Sequence, residues 1–179
     1  MKVLLLAPPE RTYLGASSHP VLDRKREARP KLGILSVATY LKARRLEVSV
    51  KVVDCSVEGM NDAHIERLVR SYEPDLVGIT CLTFTYRDAI GAARLVRHAW
   101  PRALICMGGF HVTLYPRETL EQECVDLVVT GEGEETFTAL VEHLLGGGPS
   151  LDQIEGLGYK DGPVLRVNAP RNPVARLDS

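Results

Sequence analysis

Over roughly the first 145 residues, short apolar runs alternate with stretches whose apolar positions recur every three to four residues. Lys2 to Ala7 (KVLLLA) is continuously apolar, as a strand buried on both faces requires. Val48 to Val53 alternates instead and reads as a strand nearer a sheet edge. Leu76 to Cys81, Ala103 to Met107 and Leu127 to Thr130 supply three more strands. Between them lie helical stripes. Ile34, Val37, Ala38 and Leu41 share one face, as do Ile65, Leu68, Val69 and Tyr72. A third stripe holds Ala89, Ala92, Ala93, Val96 and Trp100. It opens with Thr85-Tyr86-Arg87-Asp88, the outline of a capping box with Asp in place of Glu. A short helix is predicted over Pro116 to Glu123. The last helix turns Phe137, Leu140, Val141 and Leu144 inward, carries Glu134 and Glu135 in its first turn, and stops at Gly146-Gly147-Gly148.

Five strands alternating with five helices predict an α/β fold of flavodoxin-like (Rossmann-like) type. Its expected core is a five-stranded parallel sheet of order 2-1-3-4-5, with helices on both faces and right-handed crossovers. From Ile154 to Asn168 the pattern becomes a hairpin with Asp161-Gly162 at its turn. The predicted organisation is therefore an α/β domain over residues 1–149, followed by a hairpin and Pro-rich linker over 150–179. That linker looks cut short, as in a fragment of a longer protein.

Composition narrows the class. The chain has 179 residues, 45% apolar and 25% charged, which excludes disorder, collagen-like repeats and a disulfide-stapled miniprotein. Lys plus Arg number 22 against 23 Asp plus Glu, so no electrostatic pull toward nucleic acid follows. No apolar run approaches the ~20 residues of a membrane span, and Pro8-Pro9 interrupts the N-terminal run before it resembles a signal peptide. The expectation is a cytoplasmic protein with no nucleic-acid or membrane partner. Cys55, Cys81, Cys106 and Cys124 form no C-x-x-C pair, and they read as small buried hydrophobes.

In an open parallel sheet, ligands bind beyond the carboxyl ends of the strands. The unusual residues fall there in all five loops. Pro8-Pro9 follows the first strand, ahead of a basic cluster at Arg24, Lys25, Arg26, Arg29 and Lys31. Asp23 and Glu27 interrupt that cluster, so it reads as a solvated face. Asp54-Cys55-Ser56-Val57-Glu58-Gly59 follows the second strand, where Asp54 taken alone reads as a cap. Thr80, Cys81, Leu82, Thr83 and Phe84 follow the third. Gly108-Gly109-Phe110-His111 follows the fourth; the glycine pair serves either a tight turn or a close ligand approach. His111 reads as a hydrogen-bonding residue rather than a metal ligand. Thr130-Gly131-Glu132-Gly133-Glu134-Glu135 follows the fifth. Its carboxylates disfavour a phosphate nest, and suit either hydroxyl and amide donors or the helix dipole. What lifts these residues above such ordinary readings is their coincidence on one rim.

Competing motifs are missing. A-P-P-E after the first strand offers neither G-x-G-x-x-G nor a P-loop lysine. The acidic pair and the lysine of a response-regulator receiver are absent, and no Ser-His-Asp or Cys-His set is spaced for nucleophilic catalysis.

Taken together, K-V-L-L-L-A-P-P, K-L-G-I-L-S-V-A-T-Y-L, P-D-L-V-G-I-T-C-L-T, G-G-F-H-V-T and D-L-V-V-T-G-E-G-E-E-T-F are a specific set in order. They resemble the N-terminal cobalamin-binding domain of cobalamin-dependent radical S-adenosylmethionine enzymes, of the anaerobic magnesium-protoporphyrin ester cyclase and methyltransferase type. The broader cobalamin pattern D-x-H-x-x-G, S-x-L, G-G is matched here by Asp54-x-Ser56-x-x-Gly59, Thr80-x-Leu82 and Gly108-Gly109. Ser56 stands in place of the coordinating His, so the resemblance implies base-off, His-off cobalamin. It further implies that Pro8, Thr80, Thr83 and Ser56 border the cofactor, the three hydroxyls bonding its amides. Leu82, Phe84 and Phe110 would cover it, Gly108 and Gly109 would let it approach the backbone, and Thr130, Gly131, Glu132, Gly133 and Glu134 would meet polar groups of its tail. The tail itself would thread the groove near the first and third strands.

The family's C-x-x-x-C-x-x-C motif is absent and is expected beyond Ser179. The full-length enzyme would then add a [4Fe-4S] cluster and S-adenosylmethionine on a C-terminal radical domain, as the partner of this non-catalytic domain. Two rival readings are a cobalamin-free docking or substrate-recognition domain, and a flavin-binding electron carrier.

Overall fold

The computed structural model describes residues 1–11, 31–44 and 46–172. Arg24, Lys25, Arg26 and Arg29 of the basic cluster lie outside the described residues, as do His19 and residues 173–179.

Strand β1 (Lys2–Ala7) is buried from Val3 onward and lies between β2 (Ser49–Asp54) and β3 (Leu76–Thr80), parallel to both. β4 (Leu104–Gly108) and β5 (Leu127–Val129) extend the parallel array beyond β3. The alternating β2 occupies the edge, where one face stays wet. The parallel order 2-1-3-4-5 is the one that the pattern predicts.

The strand count differs. The hairpin β6 (Leu157–Asp161) and β7 (Val164–Val167) joins the same sheet, with β6 antiparallel to β5, to give seven strands in mixed array. The reason is edge protection: without β6, the short apolar β5 would present unpaired amides and carbonyls. Gly158 makes this pairing possible, since a Cβ there would stand 2.5 Å from the Val128 side chain.

Alternation along β1 divides the interior in two. Leu4 and Leu6 face α2 (Asp62–Tyr72) and α3 (Tyr86–Ala99). Val3 and Leu5 face α1 (Leu32–Ala43) and α6 (Gly133–Leu144). The predicted stripes are the buried ones: Ile34, Ala38 and Leu41 on α1; Ile65 and Val69 on α2; Ala89, Ala92, Ala93 and Val96 on α3; Phe137, Leu140 and Val141 on α6.

Two local expectations are corrected. Thr85 does not cap α3 through its side chain. Its hydroxyl accepts from the Leu82 amide at 3.0 Å and donates to the Leu82 carbonyl at 3.1 Å, closing a 3₁₀ turn over Thr83–Thr85. The predicted helix at Pro116 is present but shorter, as α5 (Pro116–Leu120), and it is preceded by an unpredicted one, α4 (Phe110–Leu114), which starts directly at the glycine pair.

All four cysteines are buried and unbonded. Burial pushes the Cys55 and Cys81 thiols up to about 12 and raises those of Cys106 and Cys124. Among the described residues no group of His, Cys, Asp and Glu could hold a metal, and no helix is long and apolar enough to cross a membrane.

Candidate functional site

Past the carboxyl ends of β1, β3, β4 and β5 the sheet opens into a groove of about 270 Å³, on the side covered by α1 and α6. Its floor is apolar: Leu5, Ile79, Cys106, Val129 and Phe137, with Ile34 and Val37 from α1. The mid-strand glycine of β3 keeps that floor low. A Cβ on Gly78 would stand 2.7 Å from Leu5 Cδ2 and 3.1 Å from the Phe137 ring.

The two glycines at the end of β4 differ in what the backbone asks of them. Gly109 adopts φ 107°, and a Cβ there would lie 2.6 Å from the Cys81 carbonyl oxygen, so the backbone demands glycine. At Gly108 the nearest atom to such a Cβ is 3.6 Å away, so nothing among the described residues forbids a Cβ. The tight-turn reading thus holds at Gly109, while Gly108 is under no such constraint.

Seven of the sequence-predicted residues line this groove: Thr80, Gly108, Gly109, Gly131, Glu132, Gly133 and Glu134. Pro8, Leu82 and Phe110 join Thr80 and Gly109 around an adjoining cavity of about 440 Å³ at the ends of β1 and β3. The remainder stand apart from both. Asp54 closes a turn, Oδ1 accepting from the amides of Ser56 at 3.1 Å and Val57 at 3.3 Å. Ser56 Oγ accepts from the Glu10 amide at 3.1 Å. Gly59, at φ 60°, ends that loop. Thr83 meets His111 Nδ1 at 3.4 Å, and Phe84 is exposed. Thr130 bonds the hairpin, its amide and hydroxyl both donating to the Gly156 carbonyl at 2.9 and 3.1 Å.

Sequence reasoning passed over Gly33, Gly78, Val37 and Phe137 in the groove, and Glu10 and Lys31 in the adjoining cavity. A glycine inside a buried strand was the available signal for Gly78. Lys31 is no part of a solvated face: it is paired with Glu10, their side chains 22% and 19% exposed.

His111 packs between Tyr86, at 4.2 Å between ring centroids, and Tyr115, at 5.0 Å. Desolvation lowers its pKa, against an upward pull from Glu118. At the fifth loop Glu135 has a partner beyond the helix dipole. Arg171 Nη1 lies 2.8 Å from Glu135 Oε2 and 3.8 Å from Glu155, while Arg171 Nε donates to Thr136 Oγ1 at 3.3 Å.

A mixed α/β sheet whose parallel part opens a groove at its topological switch point, floored by apolar side chains and rimmed by glycines, is the arrangement in which such sheets seat ligands. The chain matches the B12-binding domain over residues 21–141, and it belongs to that family as a cobalamin-binding domain. It is 34% identical over 183 residues to an uncharacterized methyltransferase of Pyrococcus horikoshii, with 99% of this chain and 37% of that protein aligned. It is 28% identical over 154 residues to the anaerobic magnesium-protoporphyrin IX monomethyl ester cyclase of Rubrivivax gelatinosus, covering 83% of this chain and 27% of the cyclase. The chain thus spans about a third of the length of these curated relatives. Its fold matches that of the radical S-adenosylmethionine methyltransferase TsrM from Kitasatospora setae with cobalamin and a [4Fe-4S] cluster bound. The TM-score is 0.70 at 19% identity, over 99% of this chain and 30% of that one.

Proposed function

We propose that the groove holds the nucleotide tail of cobalamin and the adjoining cavity the underside of its ring, with no histidine on cobalt, as the cofactor-binding part of a larger radical S-adenosylmethionine enzyme. The observation that carries this reading is the groove itself: apolar at the floor, polar only at the mouth, and opened by glycines where bulk would close it.

The residues suit the group. Leu5, Ile79, Val129 and Phe137 offer a desolvated slot for a flat aromatic base. Gly108 leaves room for that base beside the backbone. The Thr80 hydroxyl, at the mouth of both cavities, can accept from or donate to a ring amide. Glu132 and Glu134 present carboxylate acceptors to amides or ribose hydroxyls. Leu82 and Phe110, 37% and 64% exposed, supply apolar cover. No histidine is among the described residues lining either cavity, and Ser56 is turned to the Glu10 amide. Cys81 stays protonated beside the rim and offers no thiolate. Bound cobalamin supplies a cobalt centre able to carry a methyl group or an electron. The chain's own work is to bind it, orient it and keep water from its tail. S-adenosylmethionine and a [4Fe-4S] cluster would belong to a further domain on the C-terminal side, since the chain contains no C-x-x-x-C-x-x-C.

Titration of the purified chain with hydroxocobalamin, with flavin mononucleotide as control, tests the reading. A saturable change in the visible spectrum with cobalamin alone is expected. Absence of any spectral or calorimetric response, oxidised or reduced, overturns it. Paramagnetic resonance of the cobalt(II) form tests the axial assignment: nitrogen hyperfine splitting overturns the His-off mode.

A further inference from the structure

Among the described residues lining the groove and its adjoining cavity, the charged side chains are Glu10, Glu132, Glu134 and one cation, Lys31. Lys31 is placed against local stability. It is the N-cap of α1, where the helix dipole disfavours a positive charge, and no acidic residue stands in the first turn. Glu10 offsets that cost by pairing with it in a partly buried position. A lysine ammonium carries three N–H donors, and the pair with Glu10 accounts for one of them.

The tail of cobalamin carries one phosphodiester between its polar ring and its flat base. With the base in the apolar slot and the ring over the adjoining cavity, that single anion must pass between the two, where the groove side is acidic (Glu132 and Glu134, at the N-terminus of α6) and the cavity side holds Lys31, two residues before Gly33, which borders both. Like-charge contact is unfavourable on the first flank, and a charge-assisted hydrogen bond is available on the second. We infer that Lys31 binds the tail phosphodiester and that Glu10 holds Lys31 in place while competing for it. This inference rests on the cobalamin reading and adds the direction in which the tail enters.

The two members of the ion pair then have opposite effects on the ligand, which a purely structural pair would not show. Kd is measured for cobalamin and for cobinamide, which has the same ring without the phosphate-linked tail, on the wild-type chain, Lys31→Met, Lys31→Arg and Glu10→Gln. Lys31→Met is expected to weaken cobalamin about tenfold and cobinamide by no more than about twofold; Lys31→Arg restores most of the loss. Glu10→Gln is expected to tighten cobalamin about threefold, by freeing the ammonium, and to change cobinamide less. Equal weakening of both ligands by Lys31→Met, or weaker cobalamin binding in Glu10→Gln, overturns the inference. If Lys31→Met does not fold, the sign of the Glu10→Gln effect decides alone. A wild-type chain that binds neither corrinoid sinks the cobalamin reading itself, a separate outcome.

Discussion

The Thr113 hydroxyl spans two of the glycine-rich loops: it accepts from the Gly131 amide at 2.9 Å and donates to the Gly109 carbonyl at 3.1 Å. The loops after the neighbouring strands β4 and β5, both of which line the groove, are thereby joined by one side chain. Thr113→Val keeps the shape and removes both bonds. Each is worth about 1 kcal/mol net, less where solvent reaches it, so cobalamin affinity should fall about threefold and Thr113→Ser should restore it. Hydrogen exchange checks the cause without ligand: the Gly131 amide should exchange faster in the valine variant and normally in the serine one.

Gly108 and Gly109 should separate in their effects. Gly109→Ala forces a Cβ toward the Cys81 carbonyl at an unfavourable φ and should cost about 1–3 kcal/mol, read as a lower Tm. Gly108→Leu should leave Tm nearly unchanged and abolish cobalamin binding by filling the slot. A large loss of Tm at Gly108 would contradict the division of roles.

The tyrosine-flanked imidazole gives the fold a pH dependence. Its folded pKa lies below the usual 6.5, so on acidification the unfolded chain takes up that proton first. Stability from this group is intact above 6.5, falls as pH drops through 6.5, and levels off below the folded pKa. Thermal melts of the wild type between pH 7.5 and 5 should show a steeper decline than those of His111→Gln. Parallel declines would remove His111 as the cause.

The thiols should be silent. With all four buried, and two of them pushed up to about 12, a disulfide reagent at pH 8 should label none in the native chain and all four after denaturation. Rapid native labelling of Cys81 would show that the rim opens to water.

Much of this was legible in the residues, for identifiable reasons. A run such as KVLLLA can be buried on both sides only in the middle of a parallel sheet, and the helix stripes have one face each to hide. Thr80, the glycine pair and the Gly131–Glu134 loop were legible because strand ends and ligand sites coincide in such sheets. What escaped depends on distant partners. The hairpin's place beside β5 is set by an edge that no local pattern announces. Asp54, Ser56 and Gly59 match a motif by spacing, yet their hydrogen bonds are spent within the loop and on Glu10. Lys31 is one more charge in a basic string until the fold brings Glu10 to it, twenty-one residues earlier in the chain. Thr85 has the outline of a cap, but a 3₁₀ turn claims its hydroxyl first.

Beyond β7 the backbone is bolted rather than draped. Asn168 grips the carbonyls of Leu151 and Ile154, Ala169 takes the Gly156 amide, and Arg171 reaches the first turn of α6. In mechanical terms these residues are a bracket between the strand edge and the helix that bears Glu134. The path of the chain at Arg171 is thereby tied to Glu135 and Thr136, in the turn of α6 that also carries the groove-lining Glu134.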